Sequence, residues 1–353
     1  MKRPQIVNIL AIDSGEHIYI RSSIALLSGN HQSKIESAIF SPSKPWDARF
    51  LLKGRIFSLK VVGCNDQHEV IYHNHFDSDS FGNFFFKIPS YIGNQKTDLS
   101  KKVHVINLYE TYSYTGLEIL LGNFYPLKIP ISPKIVISDF DKTLVDTQFE
   151  TLKELYYSLT HPIIDFPPVS NSIEIFKKYT DETFQPFILS ASPHFYERSI
   201  RDWLYQHNIY TAGIFLKDYR NFINLLLSNE LVTKDIKNQG FYKLNHLLTI
   251  ISMTGIPSEL VLMGDNRESD HIIYSFFAEM LKKNSDPWKI WNKIKQHELF
   301  TMTNKQSSKF LTQMYQIHNV IKTLNFECKT TIFIRNINPE NQDQALKEIN
   351  YYQ

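Results

Sequence analysis

The sequence contains only two cysteines, Cys64 and Cys328, among 353 residues. They are too few and too far apart for a disulfide framework, so we expect free thiols and a reducing compartment. No stretch approaches the roughly 18 uninterrupted apolar residues of a membrane-spanning helix. Residues 1–5 are basic, but Asn8 and Asp13 interrupt the apolar core that a signal peptide would need. The sequence therefore predicts a cytoplasmic protein, at most peripheral to a membrane surface.

Neither sign of charge dominates, because 38 basic residues face 36 acidic ones and the formal net charge is +2. Such totals show no electrostatic footprint for nucleic acid, so we expect no nucleic-acid partner. The content of 42% hydrophobic and 14% aromatic residues is typical of a globular chain rather than a disordered one. The length suffices for two domains with sizeable cores.

Residues 1–128 alternate short apolar runs with turn residues. The runs lie at 17–20, 50–56, 59–62, 83–88, 103–108 and 118–121. This pattern predicts an all-β, sandwich-like N-terminal domain. Gly82 and Asn83 favour a positive-φ turn before a strand. We assign this domain the role of a lid, scaffold or partner-binding module.

His73, His75 and Asp77 lie in the same β-rich region. An x-His-x-His pattern on a strand can bind a metal ion, but no cysteine partner occurs at a fitting spacing. A solvated surface is the alternative interpretation.

Pro126, Pro130 and Pro133 predict a short, extended linker, because proline fixes φ and removes a hydrogen-bond donor. Strands and helices alternate through the second domain, 129–353. Strands are predicted at 134–140, 186–190, 211–216, 259–263 and 330–335, and helices near 148–160, 170–180, 194–207, 219–229, 241–253 and 270–283. Such alternation predicts an α/β fold with a parallel sheet and right-handed crossovers.

Three of the predicted strands end in polar residues. Asp139 and Asp141 end the first, where i, i+2 spacing in an extended chain puts both side chains on one face. Ser190 and Asp265 end two others. Ligands of open α/β sheets bind at the carboxyl ends of strands. Taken alone, Asp-x-Asp-x-Thr would equally fit an acidic turn or a fragment of a calcium loop.

Together these motifs resemble the haloacid dehalogenase superfamily of phosphohydrolases. They are Asp-Phe-Asp-Lys-Thr at 139–143, a strand-end serine, a downstream lysine, and Gly-Asp-x-x-x-x-Asp at 264–270. The finer pattern resembles the lipin-related branch, the phosphatidate phosphatases of the actin-patch-protein type. It is carried by 189–193, 215–218, 264–270 and 332–336. The resemblance runs from about 134 to the last residue and implies a doubly wound, Rossmann-like parallel sheet of the haloacid dehalogenase type.

The resemblance implies that Asp139 is the nucleophile, which forms an aspartyl-phosphate, and that Asp141 acts first as general acid and then as base. It also implies a Mg²⁺ site formed by Asp139, the backbone carbonyl of Asp141, Asp265 and Asp270, with Asp270 alternatively orienting the lysine. Oxygen ligands of this kind are those that Mg²⁺ prefers.

The phosphate would be bound by the hydroxyl groups of Thr143 and Ser190 and by a lysine. Lys243 precedes the fourth motif and is preferred for this role. Lys217 matches the Leu-basic-Asp pattern of the branch, and is the alternative lysine or a contact for the substrate head group.

Residues 284–326 form an insertion longer than the family pattern needs. Asp286 and Pro287 predict a helix start, and Trp288, Trp291 and Ile294 recur beside lysines. A basic, tryptophan-bearing helix is typical of membrane-surface contact, and the alternative is that the tryptophans pack on the domain.

We therefore expect a Mg²⁺-dependent phosphatase that converts phosphatidate to diacylglycerol and phosphate. No large cap domain is apparent between Ser190 and Lys243, and an open site favours a bulky substrate such as a phospholipid. The first alternative is the same chemistry on a soluble phosphomonoester or a phosphoprotein. The second is a non-catalytic protein that binds partners through its β domain.

Overall fold

The computed structural model describes residues 2–28, 55–93, 98–112, 116–147, 163–193, 196–217, 240–267, 269–337 and 349–352. All structural statements below refer to these ranges. The chain divides into two compact units, Met1–Ile131 and Ser132–Gln353. Both cysteines are free thiols.

The first unit is β-rich, as the sequence predicts. Its strands are β1 (Lys2–Asp13), β2 (His17–Ser28), β3 (Ser58–Cys64), β4 (Val70–Asp77), β5 (Asn83–Pro89), β6 (Val105–Tyr112), β7 (Leu117–Phe124) and β8 (Leu127–Lys128). They form two four-stranded sheets, in the orders β5-β2-β1-β8 and β4-β3-β6-β7. Neighbouring strands are antiparallel, except that β8 runs parallel to β1.

Apolar side chains of both sheets share one hydrophobic core. Ile18 and Phe86 come from the first sheet, and Leu59 and Leu108 from the second. Alternating inward positions on two sheets with a common core are the arrangement of a β-sandwich. Gly82 adopts a φ of +81°, and a Cβ there would lie 2.4 Å from the Ile24 carbonyl oxygen, so this turn requires glycine.

The second unit contains one six-stranded sheet and six helices among the described residues. The strands are β9 (Lys134–Ser138), β10 (Gln185–Pro193), β11 (Gly213–Lys217), β12 (Glu259–Asp265), β13 (Lys329–Arg335) and β14 (Ile349–Tyr352). The helices are α1 (Ser170–Asp181), α2 (Glu197–Gln206), α3 (Gly240–Thr254), α4 (Asp270–Met280), α5 (Pro287–Gln296) and α6 (Asn304–Thr323).

All neighbouring strands of this sheet are parallel, in the order β11-β10-β9-β12-β13-β14. The chain builds outward from β9 in one direction and then, starting with β12, in the other. The two central strands, β9 and β12, are almost fully buried. Four of their side chains are 0% exposed: Ile135, Val136, Leu260 and Leu262. The strand order therefore reverses beside β9, and a reversal of this kind opens a crevice at the carboxyl ends of the strands.

The predicted elements match the structure unevenly. The predicted helices near 148–160 and 219–229, and most of the apolar run at 50–56, lie outside the described residues. The strand predicted over 134–140 ends at Ser138, so both aspartates that follow it lie in the next turn. The sequence analysis did not identify β1, β4, β8 or β14. Strand β8 lies within the segment predicted to be a linker, and it pairs with β1.

The insertion at 284–326 contains α5 and α6. Asp286 caps α5, because its side chain accepts hydrogen bonds from the backbone N–H groups of Trp288 (3.0 Å) and Lys289 (3.2 Å). Trp291 is buried and donates its indole N–H to Ser307 Oγ over 3.2 Å. Trp288, by contrast, is 50% exposed, although its ring lies 4.8 Å from that of Trp291. One tryptophan therefore packs on the unit, and the other faces solvent. No helix in the described ranges combines the length and apolar character needed to cross a bilayer.

We expect the two tryptophans to differ in their contribution to stability. Trp291→Ala should lower the free energy of unfolding by about 3–5 kcal/mol, because it empties a buried site. Trp288→Ala should lower it by about 1 kcal/mol or less. Urea unfolding followed by circular dichroism would measure both, with wild type alongside. Equal losses would show that Trp288 also packs in solution.

Candidate active site

Three buried carboxylates meet at the carboxyl end of the central strands. Asp139 follows β9, Asp265 ends β12 and Asp270 begins α4, and all three are 0% exposed. One oxygen from each lies within 4.8 Å of the others. Residues far apart in the sequence converge because β9 and β12 are paired neighbours. The backbone N–H of Asp139 still donates to the Met263 carbonyl over 2.8 Å, which extends that pairing beyond the end of β9.

The buried ammonium group of Lys243 faces this acidic cluster. Lys243, on the first turn of α3, places Nζ 2.6 Å from Asp270 Oδ1 and 3.2 Å from Asp139 Oδ2. Its side chain is also 0% exposed. An ammonium group within 4 Å of two carboxylates, away from water, interacts with them strongly. Lys243 therefore joins the cluster, whereas Lys217 ends β11 beside Pro193, two strands away from β9.

The cluster fits a divalent metal ion. With the three carboxylates ionised and the amine protonated, these four buried groups carry a net charge of −2. Buried charge without compensation is costly, and carboxylate oxygens are the preferred ligands of hard divalent cations. Asp139, Asp265 and Asp270 could therefore hold a metal, and Lys243 offsets the remaining charge.

Gly264 permits the close approach of Asp270. A Cβ at position 264 would lie 2.4 Å from Asp270 Oδ2, so any side chain larger than hydrogen would displace this carboxylate. The Asp265 backbone N–H lies 3.4 Å from the same oxygen, and the Arg267 N–H donates to Asp265 Oδ1 over 2.7 Å. The loop between β12 and α4 thus fixes both carboxylates through its backbone.

Asp141 faces the other neighbour of β9, strand β10. Its Oδ2 accepts hydrogen bonds from the hydroxyl groups of Ser190 (2.8 Å) and Ser192. Its Oδ1 accepts one from Thr147 over 3.2 Å. The two aspartates therefore have different partners, although they are only two residues apart. Asp139 interacts with charged groups on the β12 side, and Asp141 with hydroxyl groups on the β10 side.

The hydroxyl group of Thr143 is fully buried and has no hydrogen-bond partner among the residues that the structure describes. Burial of a hydroxyl group without a partner costs free energy. A ligand with acceptor oxygens at this point would satisfy it.

A turn with strained backbone follows the two aspartates. Lys142 adopts a φ of +58°, in the left-handed region that non-glycine residues rarely occupy. Arg335, at the end of β13, donates from Nη1 to the Lys142 carbonyl over 2.7 Å and lies 3.2 Å from an Asp146 oxygen. Arg335 thereby holds the turn from the opposite half of the sheet.

A second link joins the loop after β12 to the end of β13. Asn266 donates to the Asn336 side chain over 2.9 Å and accepts from the Ile337 N–H over 2.9 Å.

Tyr352, which ends β14, contacts Ser172 through its hydroxyl group at 2.8 Å. Burial raises the pKa of Tyr352 to about 12, so this group stays protonated at neutral pH.

Several of these residues carry no role in the sequence analysis. They are Ser192, Thr147, Tyr196, Tyr242, Asn266 and Arg335. Tyr196 is buried, and its pKa is raised by burial and then by the nearby charge of Asp141. Tyr242 donates its hydroxyl to the Ser190 carbonyl over 3.3 Å. A signal existed for Ser192, because it lies two residues after Ser190 in an extended strand and so shares its face.

His73, His75 and Asp77 are exposed on β4. Among the described residues they do not belong to a group of three or more potential ligands, whereas Asp139, Asp265 and Asp270 do. The structure therefore gives no support to a metal site on β4.

One protein family matches the segment of the chain that carries the acidic cluster. Residues 134–286 match the model of the family described as "Phosphatidate phosphatase APP1, catalytic domain". This match confirms the resemblance to phosphatidate phosphatases of the actin-patch-protein type over that segment, which is less than half of the chain. No curated protein sequence matches the chain.

Solved structures show only weak likeness. A β-glucuronidase from Parabacteroides merdae is 7% identical, with 96% of this chain and 34% of that chain covered and a TM-score of 0.24. A Bifidobacterium dentium β-glucuronidase complexed with coumarin-3-O-glucuronide is 6% identical, with 97% and 45% covered and a TM-score of 0.25. The chain thus spans less than half the length of either. A likeness this weak is no evidence for a shared fold or function.

We expect Arg335→Met to destabilise the second unit by about 1–3 kcal/mol, because the Lys142 carbonyl and Asp146 lose their shared donor. Lys293→Met is the matched control, since Lys293 pairs with Glu279 in an exposed position and its loss should cost about 1 kcal/mol or less. Urea unfolding would compare the two variants. Equal losses would argue that Arg335 does not support the turn.

Proposed function

We propose that this protein is a Mg²⁺-dependent phosphatidate phosphatase of the haloacid dehalogenase superfamily, because residues 134–286 match the catalytic domain of that kind of phosphatase. The match is the observation that carries the proposal. The parallel sheet with its strand order β11-β10-β9-β12-β13-β14 supports a doubly wound fold of that superfamily. The acidic cluster at its carboxyl edge supports phosphoryl transfer.

Asp139 would be the nucleophile. In the first step one of its carboxylate oxygens forms a bond to phosphorus, and the bond between phosphorus and the ester oxygen breaks. The ester oxygen keeps the electron pair and takes the proton of Asp141, so the alcohol leaves as diacylglycerol. The phosphoryl group remains on Asp139 as an aspartyl-phosphate.

Asp141 would then act as a base. Now a carboxylate, it takes a proton from water while the water oxygen attacks phosphorus and the bond to Asp139 breaks. Inorganic phosphate is released, and both aspartates return to their starting states. The separate environments of Asp139 and Asp141 support these separate roles.

Thr143, Ser190 and Lys243 would bind the phosphoryl oxygens. Of the two candidate lysines the geometry favours Lys243, because its Nζ lies 3.2 Å from the nucleophile. Asp139, the backbone carbonyl of Asp141, Asp265 and Asp270 would hold Mg²⁺, with Asp270 also orienting Lys243. Bound there, the ion would supply positive charge against the phosphoryl oxygens during attack.

The phospholipid head group is the substrate that we expect. Wild-type protein with Mg²⁺ should release phosphate from phosphatidate vesicles, and more slowly from sugar phosphates and phosphopeptides. Colorimetric phosphate detection across this panel tests the proposal. If the protein prefers a soluble phosphomonoester, the proposed hydrolysis stands, but the proposed phosphatidate substrate is wrong.

Asp139→Asn is the control for the chemistry, since an amide cannot form the aspartyl-phosphate. Its rate should fall at least about 10³-fold while circular dichroism stays unchanged. Wild-type activity in this variant would exclude the covalent mechanism.

Mg²⁺ should stabilise the second unit by binding only its folded form. At about 100 times its dissociation constant a ligand adds about 2.7 kcal/mol, which a thermal melt detects as a higher Tm. Asp265→Asn keeps the acceptor for the Arg267 N–H but removes one charged ligand, so its Mg²⁺ shift should vanish. Glu298→Gln, an exposed position outside the cluster, should keep it. An unchanged shift in Asp265→Asn would place the metal elsewhere.

A further inference from the structure

The carboxylate of Asp141 accepts hydrogen bonds from more hydroxyl groups than its proposed role accounts for. Ser190 and Ser192 both donate to Oδ2, and Thr147 donates to Oδ1. Asp141 is only 5% exposed. Buried Tyr196 lies close enough for the charge of Asp141 to raise its pKa. The carboxyl group is therefore held by an enclosed, hydroxyl-rich pocket.

Strand geometry brings the two serines to the same oxygen. β10 continues to Pro193, whereas β9 ends at Ser138, and in the register of the two strands Ser138 pairs with Ile188. The last part of β10 therefore extends past the end of β9, beside the turn that carries Asp141. The pairing of β10 with β11 is irregular between Ser190 and Pro193. The hydroxyl groups of Ser190 and Ser192 nevertheless reach the same carboxylate oxygen, so both serines face Asp141.

One serine cannot serve both Asp141 and the substrate. A serine hydroxyl has a single hydrogen to donate. In the proposed reaction Ser190 donates it to a phosphoryl oxygen, and Asp141 Oδ2 then loses that hydrogen bond. The Ser190 oxygen also accepts from the Ser192 backbone N–H over 2.8 Å, so it stays in place while its hydrogen turns. Of the two serines, Ser192 is the donor that remains on Oδ2.

We propose that Ser192 is a positioning residue, whose hydroxyl group holds the carboxyl group of Asp141 for proton transfer to the leaving oxygen while Ser190 binds the phosphoryl group. This inference rests on the proposed function. It divides two neighbouring serines of one strand between the phosphoryl group and the acid. The proposal concerns alignment, because a proton donor must lie within hydrogen-bond reach of the atom that it protonates.

The test compares leaving groups. An alkoxide needs a proton as it leaves, whereas p-nitrophenolate is stable without one. For Ser192→Ala we expect kcat/KM to fall about 10–100-fold on phosphatidate, and less than about 3-fold on p-nitrophenyl phosphate. The ratio kcat/KM is used because it reports the first step alone, in which the leaving group departs. Ser192→Thr, which keeps the hydroxyl group, should recover most of the loss.

Ser258→Ala is the matched control. The Ser258 hydroxyl donates to the Ser132 carbonyl over 3.1 Å, just before β12 begins and therefore at the opposite edge of the sheet. This variant should leave both rates unchanged. Equal falls on both substrates in Ser192→Ala would overturn the proposal.

Binding of inorganic phosphate gives a readout that does not depend on turnover. In calorimetry with Mg²⁺ present, Ser190→Ala should weaken phosphate binding about 10-fold, and Ser192→Ala less than about 2-fold. Equal weakening would assign Ser192 to the phosphoryl group and refute its role on Asp141. If wild type releases no phosphate from phosphatidate, the proposed substrate is wrong, and glycerol 3-phosphate replaces it as the alkyl ester in the same comparison.

Discussion

The buried ion pairs of Lys243 with Asp139 and Asp270 are the interaction on which the site depends. Removing an ammonium group and carboxylates from water costs several kcal/mol for each ion, even after relaxation. Short distances recover part of this cost, but one cation cannot balance three carboxylates. Among the described residues these four groups therefore carry a local excess of negative charge, and such an excess suits a divalent cation. The same four side chains thus form the ion pairs that stabilise the buried cluster and provide the carboxylates that could hold a metal ion.

The order of strands explains why so few residues suffice. β9 lies between β10 and β12, so a turn at its end reaches polar groups on both sides. Asp139 reaches the carboxylates near β12, and Asp141 reaches the serines of β10. The same turn is held from β13 by Arg335. Each of these strands places polar side chains at its carboxyl end, and the apolar residues before that end pack in the core.

Much of this unit could be predicted from the sequence, because buried parallel strands have a strong apolar signal. Residues 259–263 are almost wholly apolar after Glu259, and polar residues at the strand ends stand out against them. Strands without that signal were missed. In β1 a bulge between Ile6 and Asn8 interrupts the two-residue alternation, and β14 is only four residues long. In the site, too, residues within a local sequence pattern were identified and residues outside one were not. The motif residues were identifiable, whereas Arg335 was not assigned a role, since its partner carbonyl belongs to a residue 193 positions away.

The pairing of β12 with β13 has a consequence for any shortened form of this protein. The family match stops at residue 286, yet all seven residues of β12 pair in register with Lys329–Arg335. A fragment cut at that point would turn an apolar central strand into an open edge with unsatisfied N–H and C=O groups. Edges of that kind recruit strands from other molecules and lead to aggregation. The smallest soluble form of the second unit should therefore extend through β14.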